Sequence, residues 1–153
     1  MRKIIFALAA VSALAATPAL ANETRVEVRG GVIWSGGSSE DVWGGAVGYD
    51  FDLGSSAFAG AEVSGDVIGA SGSKVAFGFT GRAGAKLGEK SKLYAAGGYT
   101  TEFCTACGGN WHAGAGFEQG FGKNFYGKVE YRHFFDGTFS DADAVVVGLG
   151  LKF

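Results

Sequence analysis

Proline is all but missing from this 153-residue chain. The single proline, Pro18, and the single methionine, Met1, both stand in the first 21 residues. Cysteine occurs twice and histidine twice. After Ala21 no apolar run is long enough for a spanning helix, which needs about 20 such residues. The missing proline, with no three-residue glycine period, excludes a collagen-like chain. What the chain has instead is glycine, 28 residues of it, together with 14% aromatic residues including 13 Phe. So many aromatics exclude a disordered linker. An ordinary helical domain is excluded too, since each interior glycine costs about 1 kcal/mol relative to alanine. The length allows one domain.

The first residues form a unit of their own. Arg2 and Lys3 precede an apolar run over 4–16, followed by Thr17, Pro18 and Ala19-Leu20-Ala21. A basic start, a short apolar stretch and an A-x-A site read as a secretory signal peptide over 1–21, cleaved after Ala21. The run is too short for a membrane anchor. Residues 22–153 then hold 11 basic and 15 acidic side chains, a net charge of −4. That charge argues against nucleic acid as a partner.

The rest of the chain alternates between Gly-rich polar turns and longer runs. The turns fall at 35–41, 52–56, 69–74, 88–92, 104–110, 122–124 and 136–142. They separate eight runs: 24–34, 42–51, 57–68, 75–87, 93–103, 111–121, 125–135 and 143–153. Each run holds about ten residues or more, the length a tilted strand needs to cross a bilayer. Soluble strands average about 5–6. Within a run, alternate residues face opposite sides. One parity is apolar, as in Val26, Val28, Val32 and Trp34, or Phe77, Phe79, Ala83 and Leu87. Charges gather on the other: Glu27, Arg29, Asp50, Glu62, Asp66, Arg82, Lys86, Glu102, Glu118, Lys128, Glu130, Arg132 and Lys152.

A soluble barrel or sandwich turns the apolar parity inward, and an outer-membrane barrel turns it toward lipid. Aromatic residues near the run ends favour the membrane. Trp34, Trp43, Phe103, Trp111 and Phe135 are expected at one rim, and Phe51, Phe121, Phe125 and Phe153 at the other. Such girdles suit the two membrane interfaces. An even strand number permits closure, and a closed ladder has no edge at which proline is tolerated. The expected fold is an all-β, eight-stranded antiparallel up-and-down transmembrane barrel over 22–153. With both termini in the periplasm, 52–56, 88–92 and 122–124 become periplasmic turns, and the four other connections become short external loops.

The chain resembles the small eight-stranded outer-membrane barrels of the OmpA, OmpX and opacity-protein type. The residues that carry the resemblance are Ala19-Leu20-Ala21, the penultimate strand Val129-Glu130-Tyr131-Arg132, and the closing Val147-Gly148-Leu149-Gly150-Leu151-Lys152-Phe153. The resemblance implies export to the outer membrane of a Gram-negative bacterium. It also implies outer-membrane lipid and lipopolysaccharide as surroundings, and recognition of the Phe153 strand by the outer-membrane assembly machinery. It is weak for activity, because such barrels serve as adhesins, structural proteins and enzymes.

An eight-stranded barrel is just wide enough for side chains to fill. Glu27, Arg29, Glu62, Arg82, Glu118, Lys128, Glu130 and Arg132 lie well inside their runs and are expected to form a plug of ion pairs, since an unpaired charge in so narrow a lumen is costly. An ion path or charge relay is the alternative. A large porin is excluded, as it needs about 16 strands. Cys104 and Cys107 read as a local loop disulfide, in keeping with export. With His112 they also spell C-x2-C-x4-H, which lacks a fourth metal ligand unless Asp141 or Asp143 supplies one. His133 is expected at the rim on the lipid-facing parity. Related lipid A deacylases carry a pattern resembling His-x-Ser-Asn. This chain reads His133-Phe134-Phe135-Asp136, with no serine where that pattern needs it, and Ser140 stands on the next loop. No catalytic residue, metal or cofactor is assigned. The expected role is structural or surface-interacting. The alternatives are a lipid A-modifying enzyme and a soluble secreted barrel holding a small apolar ligand.

Overall fold

The computed structural model describes residues 22–104, 108–135 and 141–153. The expected signal peptide, Cys107, Asp136 and Ser140 lie outside these residues. Eight strands follow one another: β1 (Glu23–Ser35), β2 (Ser38–Asp52), β3 (Ala57–Ile68), β4 (Ala76–Lys86), β5 (Ser91–Thr100), β6 (Asn110–Phe121), β7 (Phe125–Phe135) and β8 (Ala142–Lys152). Each pairs antiparallel with the next, and β8 returns to β1 in a register that sets Val28 against Leu149. The sheet is a closed barrel. Closure gives every strand a partner on both sides, so no strand can spare an N–H to proline.

The alternation of the sequence becomes the two faces of the wall. Val28 is 70% exposed, Trp111 67% and Leu149 63%, all facing outward. Their chain neighbours Glu27, Arg29, His112 and Gly148 face the lumen, where the two arginine-region charges and His112 are buried. Inward glycines seat the polar side chains of adjacent strands. A Cβ on Gly44 or Gly60 would collide with the carboxylates of Asp66 and Asp50, and one on Gly48 with the Arg25 guanidinium. The rings of Tyr94 and Tyr126 lie where side chains at Gly116 and Gly150 would stand. The barrel core is therefore a set of long polar side chains resting on bare backbone.

Several boundaries differ from the sequence expectation. The first connection is a two-residue hairpin rather than a loop over 35–41, and β2 already begins at Ser38. Gly36 and Gly37 both take positive φ, 57° and 88°. That mirror-image turn matches the twist of the paired strands, so they extend to the tip. β5 ends at Thr100 rather than 103, which frees Phe103 from the strand pattern. At the other end the connection between β4 and β5 is shorter than 88–92, and Lys92 joins β5 as a buried residue facing the lumen. The end carrying the connections 53–56, 87–90 and 122–124 is called the turn end below, and the opposite end the loop end.

Candidate functional site

The lumen is the most unusual part of the molecule. Among the described residues, twelve charged side chains are buried there. Arg25, Arg29, Arg82, Lys92, Lys128 and Arg132 face Glu27, Asp50, Glu62, Asp66, Glu118 and Glu130. Six positive charges meet six negative ones, so the interior is electrically neutral. Burying an ion costs several kcal/mol unless partners and hydrogen bonds replace its water, and this balance is what makes so polar an interior tenable.

The pairs fall into two linked groups. Glu62 is the hub of the first. It accepts from Arg29 at 2.9 Å, Lys128 at 3.1 Å, and Arg25 and Arg132 at 3.3 Å. Around it, Arg29 grips Asp66 through two nitrogens at 2.8 and 2.5 Å. Lys128 lies 2.7 Å from Glu27, and Arg132 holds Glu130. Two tyrosines complete the carboxylate shells: Tyr94 donates to Glu130 at 2.6 Å, and Tyr126 to Glu27 at 2.8 Å. Asp50 centres the second group. Arg82 donates to it at 2.9 and 2.5 Å, and Lys92 at 2.9 Å. Arg82 also reaches Glu118 at 3.0 Å, and its guanidinium lies 4.8 Å from the Tyr94 ring centre. Arg25 joins the groups, standing between Asp50 and Glu62 at 3.4 and 3.3 Å.

All eight charged residues expected in the lumen are buried there. Arg25, Asp50, Asp66 and Lys92 belong to the same network and were not in that set. Parity alone identifies Arg25, which shares it with Glu27 and Arg29. Lys92 falls in the expected turn over 88–92, whereas β5 begins at Ser91 and carries it into the lumen.

Toward the loop end the lumen turns apolar. Phe134, Ala144 and Val146 pack together with Ile33 and Ala142 above the ion pairs. Phe103 is not part of the outer aromatic girdle. Beyond the end of β5 it faces the same space as Arg29, Asp66, Arg132 and Phe134, over the mouth of the lumen. The chain is released there from two-residue alternation, and the ring finds apolar cover inside. Trp34, Trp43, Trp111 and Phe135 face outward toward the loop end, and Phe51, Phe121, Phe125 and Phe153 toward the turn end, all substantially exposed.

Both histidines are engaged by protein groups. His112 is buried, with Nε2 3.0 Å from Thr80 Oγ1 and Nδ1 3.1 Å from Thr100 Oγ1. With both ring nitrogens occupied inside the lumen, His112 does not join Cys104 as a metal ligand. Among the described residues no group of three or more His, Cys, Asp or Glu side chains is arranged to hold a metal ion. His133 faces outward near the loop end. Its Nδ1 lies 2.8 Å from Asp143, which also accepts from the Tyr131 hydroxyl at 2.5 Å. Asp143 is thus a carboxylate on the outward-facing parity, an exception to the apolar pattern, held at the rim by two polar partners.

No family model matches the chain, and no curated protein matches it in sequence. Solved structures do. The chain is similar to the N-terminal β-barrel domain of Pseudomonas aeruginosa OprF, with a TM-score of 0.63 and 16% identity, over 86% of this chain and 97% of that one. It is similar to Ail, the attachment invasion locus protein of Yersinia pestis, with a TM-score of 0.59 and 11% identity, over 86% and 98%. The outer membrane enzyme PagL matches with a TM-score of 0.58 and 13% identity, over 84% and 98%. Identities this low speak for the fold alone. The chain has the fold of the small eight-stranded outer-membrane β-barrels, a closed antiparallel barrel that the outer membrane enzyme PagL shares.

Proposed function

We propose that the chain, freed of residues 1–21, is an integral outer-membrane barrel with a structural or surface-interaction role, its lumen plugged by ion pairs. One observation carries this reading: the molecule is inside out. Its large apolar side chains form the outer wall, and its charges form the core. Water would not tolerate the first arrangement over a whole circumference, and lipid requires it. The same observation disfavours a soluble barrel holding an apolar ligand, because the lumen offers such a ligand ion pairs. The plug follows from the filling of the lumen by side chains and the apolar cap at one end. The external side is acidic. Glu40, Asp41, Glu102, Asp141 and Asp143 stand toward the loop end against Lys74 and the rim His133. A surface partner would therefore be cationic, or would be lipopolysaccharide bridged by divalent cations.

Cell fractionation with heat-dependent gel migration tests the location. Recovery of native protein in the soluble periplasmic fraction overturns it. Planar-bilayer recording tests the plug: no steady current is expected, and any steady conductance of the folded barrel contradicts it. A second reading, a lipid A-modifying enzyme, rests on the His133–Asp143–Tyr131 group at the outer rim. That group has a base and its orienting carboxylate but no serine, threonine or cysteine within it. Lipid A mass spectra that differ between strains with and without the gene would favour this second reading.

A further inference from the structure

At the turn end the lumen opens into a basin of about 690 Å³, within the range of small-molecule sites. Four lysines line it, Lys86, Lys92, Lys123 and Lys152, against three side-chain carboxylates. The lysines come from the end of β4, the start of β5, the turn between β6 and β7, and the end of β8. Lys86 stands directly opposite Lys92 in the strand ladder. Like charges so placed oppose strand pairing. Here anions hold them: Asp52 takes Lys86 at 2.5 Å, and Glu23 takes Lys92 at 2.7 Å and Lys152 at 3.0 Å. Lys123 pairs with no carboxylate among the described residues.

The layer behind the lysines also holds buried guanidinium nitrogens without an acceptor. Asp50, which accepts from Lys92, is shared with Arg82 and Arg25. Arg82 Nη1 and Arg25 Nη2 are buried without a hydrogen-bond partner, as is the acceptor Glu118 Oε1. Lys92 is already balanced within the neutral lumen; beyond it the turn end adds Lys86, Lys90, Lys123 and Lys152 against Glu23, Asp52 and Glu89, one lysine in excess, whereas the loop end is acidic. Blind at its inner end and lysine-rich at its rim, the basin can retain a solute but not pass one.

We propose that the basin binds a small dianion, a dicarboxylate or a phosphate compound, whose two anionic groups bridge Lys123 and the Lys86–Lys92 pair. Lysine ammonium groups serve as point-charge donors to either chemistry. The membrane reading decides only which side the basin faces, the periplasm. The binding chemistry stands apart from it.

The test uses the full mature chain refolded in uncharged detergent, with amide NMR spectra recorded during titration. Inorganic pyrophosphate and succinate serve as probes, each against sodium chloride at matched ionic strength. Saturable shifts are expected at residues 22–23, 88–91 and 122–124, with none at Gly36 and Gly37. Response to pyrophosphate alone assigns phosphate chemistry, and to succinate alone carboxylate chemistry. The double variant Lys86→Gln/Lys123→Gln should bind about tenfold more weakly or worse, and Lys74→Gln should be unchanged. Should the double variant fail to fold, Lys123→Gln on its exposed turn carries the comparison. The proposal is overturned if neither probe gives a saturable shift below about 10 mM, if both ends shift alike, or if the lysine variants bind as the parent does. A folded, membrane-inserted barrel that binds neither probe would refute the site and leave the structural role untouched.

Discussion

Replacing Glu62 with glutamine should be among the most damaging conservative changes in this chain. The side chain keeps its shape and loses its charge, and the lumen goes from balance to one positive charge in excess. Four cations lose a partner: Arg29 at 2.9 Å, Lys128 at 3.1 Å, and Arg25 and Arg132 at 3.3 Å. Breaking a buried pair by removing one member costs about 3–5 kcal/mol. Here each cation keeps a second carboxylate: Asp66 for Arg29, Glu27 for Lys128, Asp50 for Arg25 and Glu130 for Arg132. The loss should therefore fall at the low end, about 3 kcal/mol, or roughly a hundredfold in the folding equilibrium. Equilibrium urea unfolding in phospholipid vesicles measures it, with fluorescence of Trp34, Trp43 and Trp111 reporting departure from the lipid interface. The internal control is Lys74→Gln, which breaks the exposed Lys74–Glu102 pair at 2.9 Å. An exposed pair contributes between about 0 and 1 kcal/mol. If Glu62→Gln costs no more than this control, water screens the lumen charges as it does those on a surface, and the ion-pair core is refuted.

Other substitutions test the wall. Gly98→Ala should destabilise the barrel by about 1–3 kcal/mol or more, because its Cβ would overlap the Phe79 carbonyl of the adjacent strand. Gly97→Ala, one residue away, gains an ordinary contact of 3.6 Å to the His112 carbonyl and should change stability by about 0.5 kcal/mol or less. Urea midpoints of the two variants that coincide would contradict the inside–outside assignment. Val147 is 55% exposed near the middle of β8, and Val147→Arg should cost about 2–4 kcal/mol in lipid. An unchanged fraction of heat-shifted, folded protein on gels would contradict lipid contact there. Cys104 and Cys107 should resist iodoacetamide until reduced, as mass spectrometry can read. The short span limits the stabilisation from such a bond to about 2 kcal/mol, so Cys104→Ser should leave the barrel folded. Alkylation of both thiols in unreduced protein would rule the bond out.

The fold was legible from local rules. A strand alternates faces every residue, so run length, parity and the missing proline sufficed for an eight-stranded membrane barrel, and parity alone sorted Glu27 from Val28 and Arg132 from Tyr131. Where alternation stops, the sequence misled. Phe103 counts as outward by parity, yet β5 has ended and the ring covers the lumen mouth. Gly36 and Gly37 resemble loop residues, but positive φ at both makes them a tight turn.

By itself, then, the sequence determined which side of the wall each strand residue faces, because that depends on neighbours one position away. Only the tertiary structure decided who meets whom inside. The contacts of Glu62 reach residues 33 to 70 positions away in the chain. Those meetings depend on the stagger between neighbouring strands, which is fixed only when the last strand finds the first and the barrel closes.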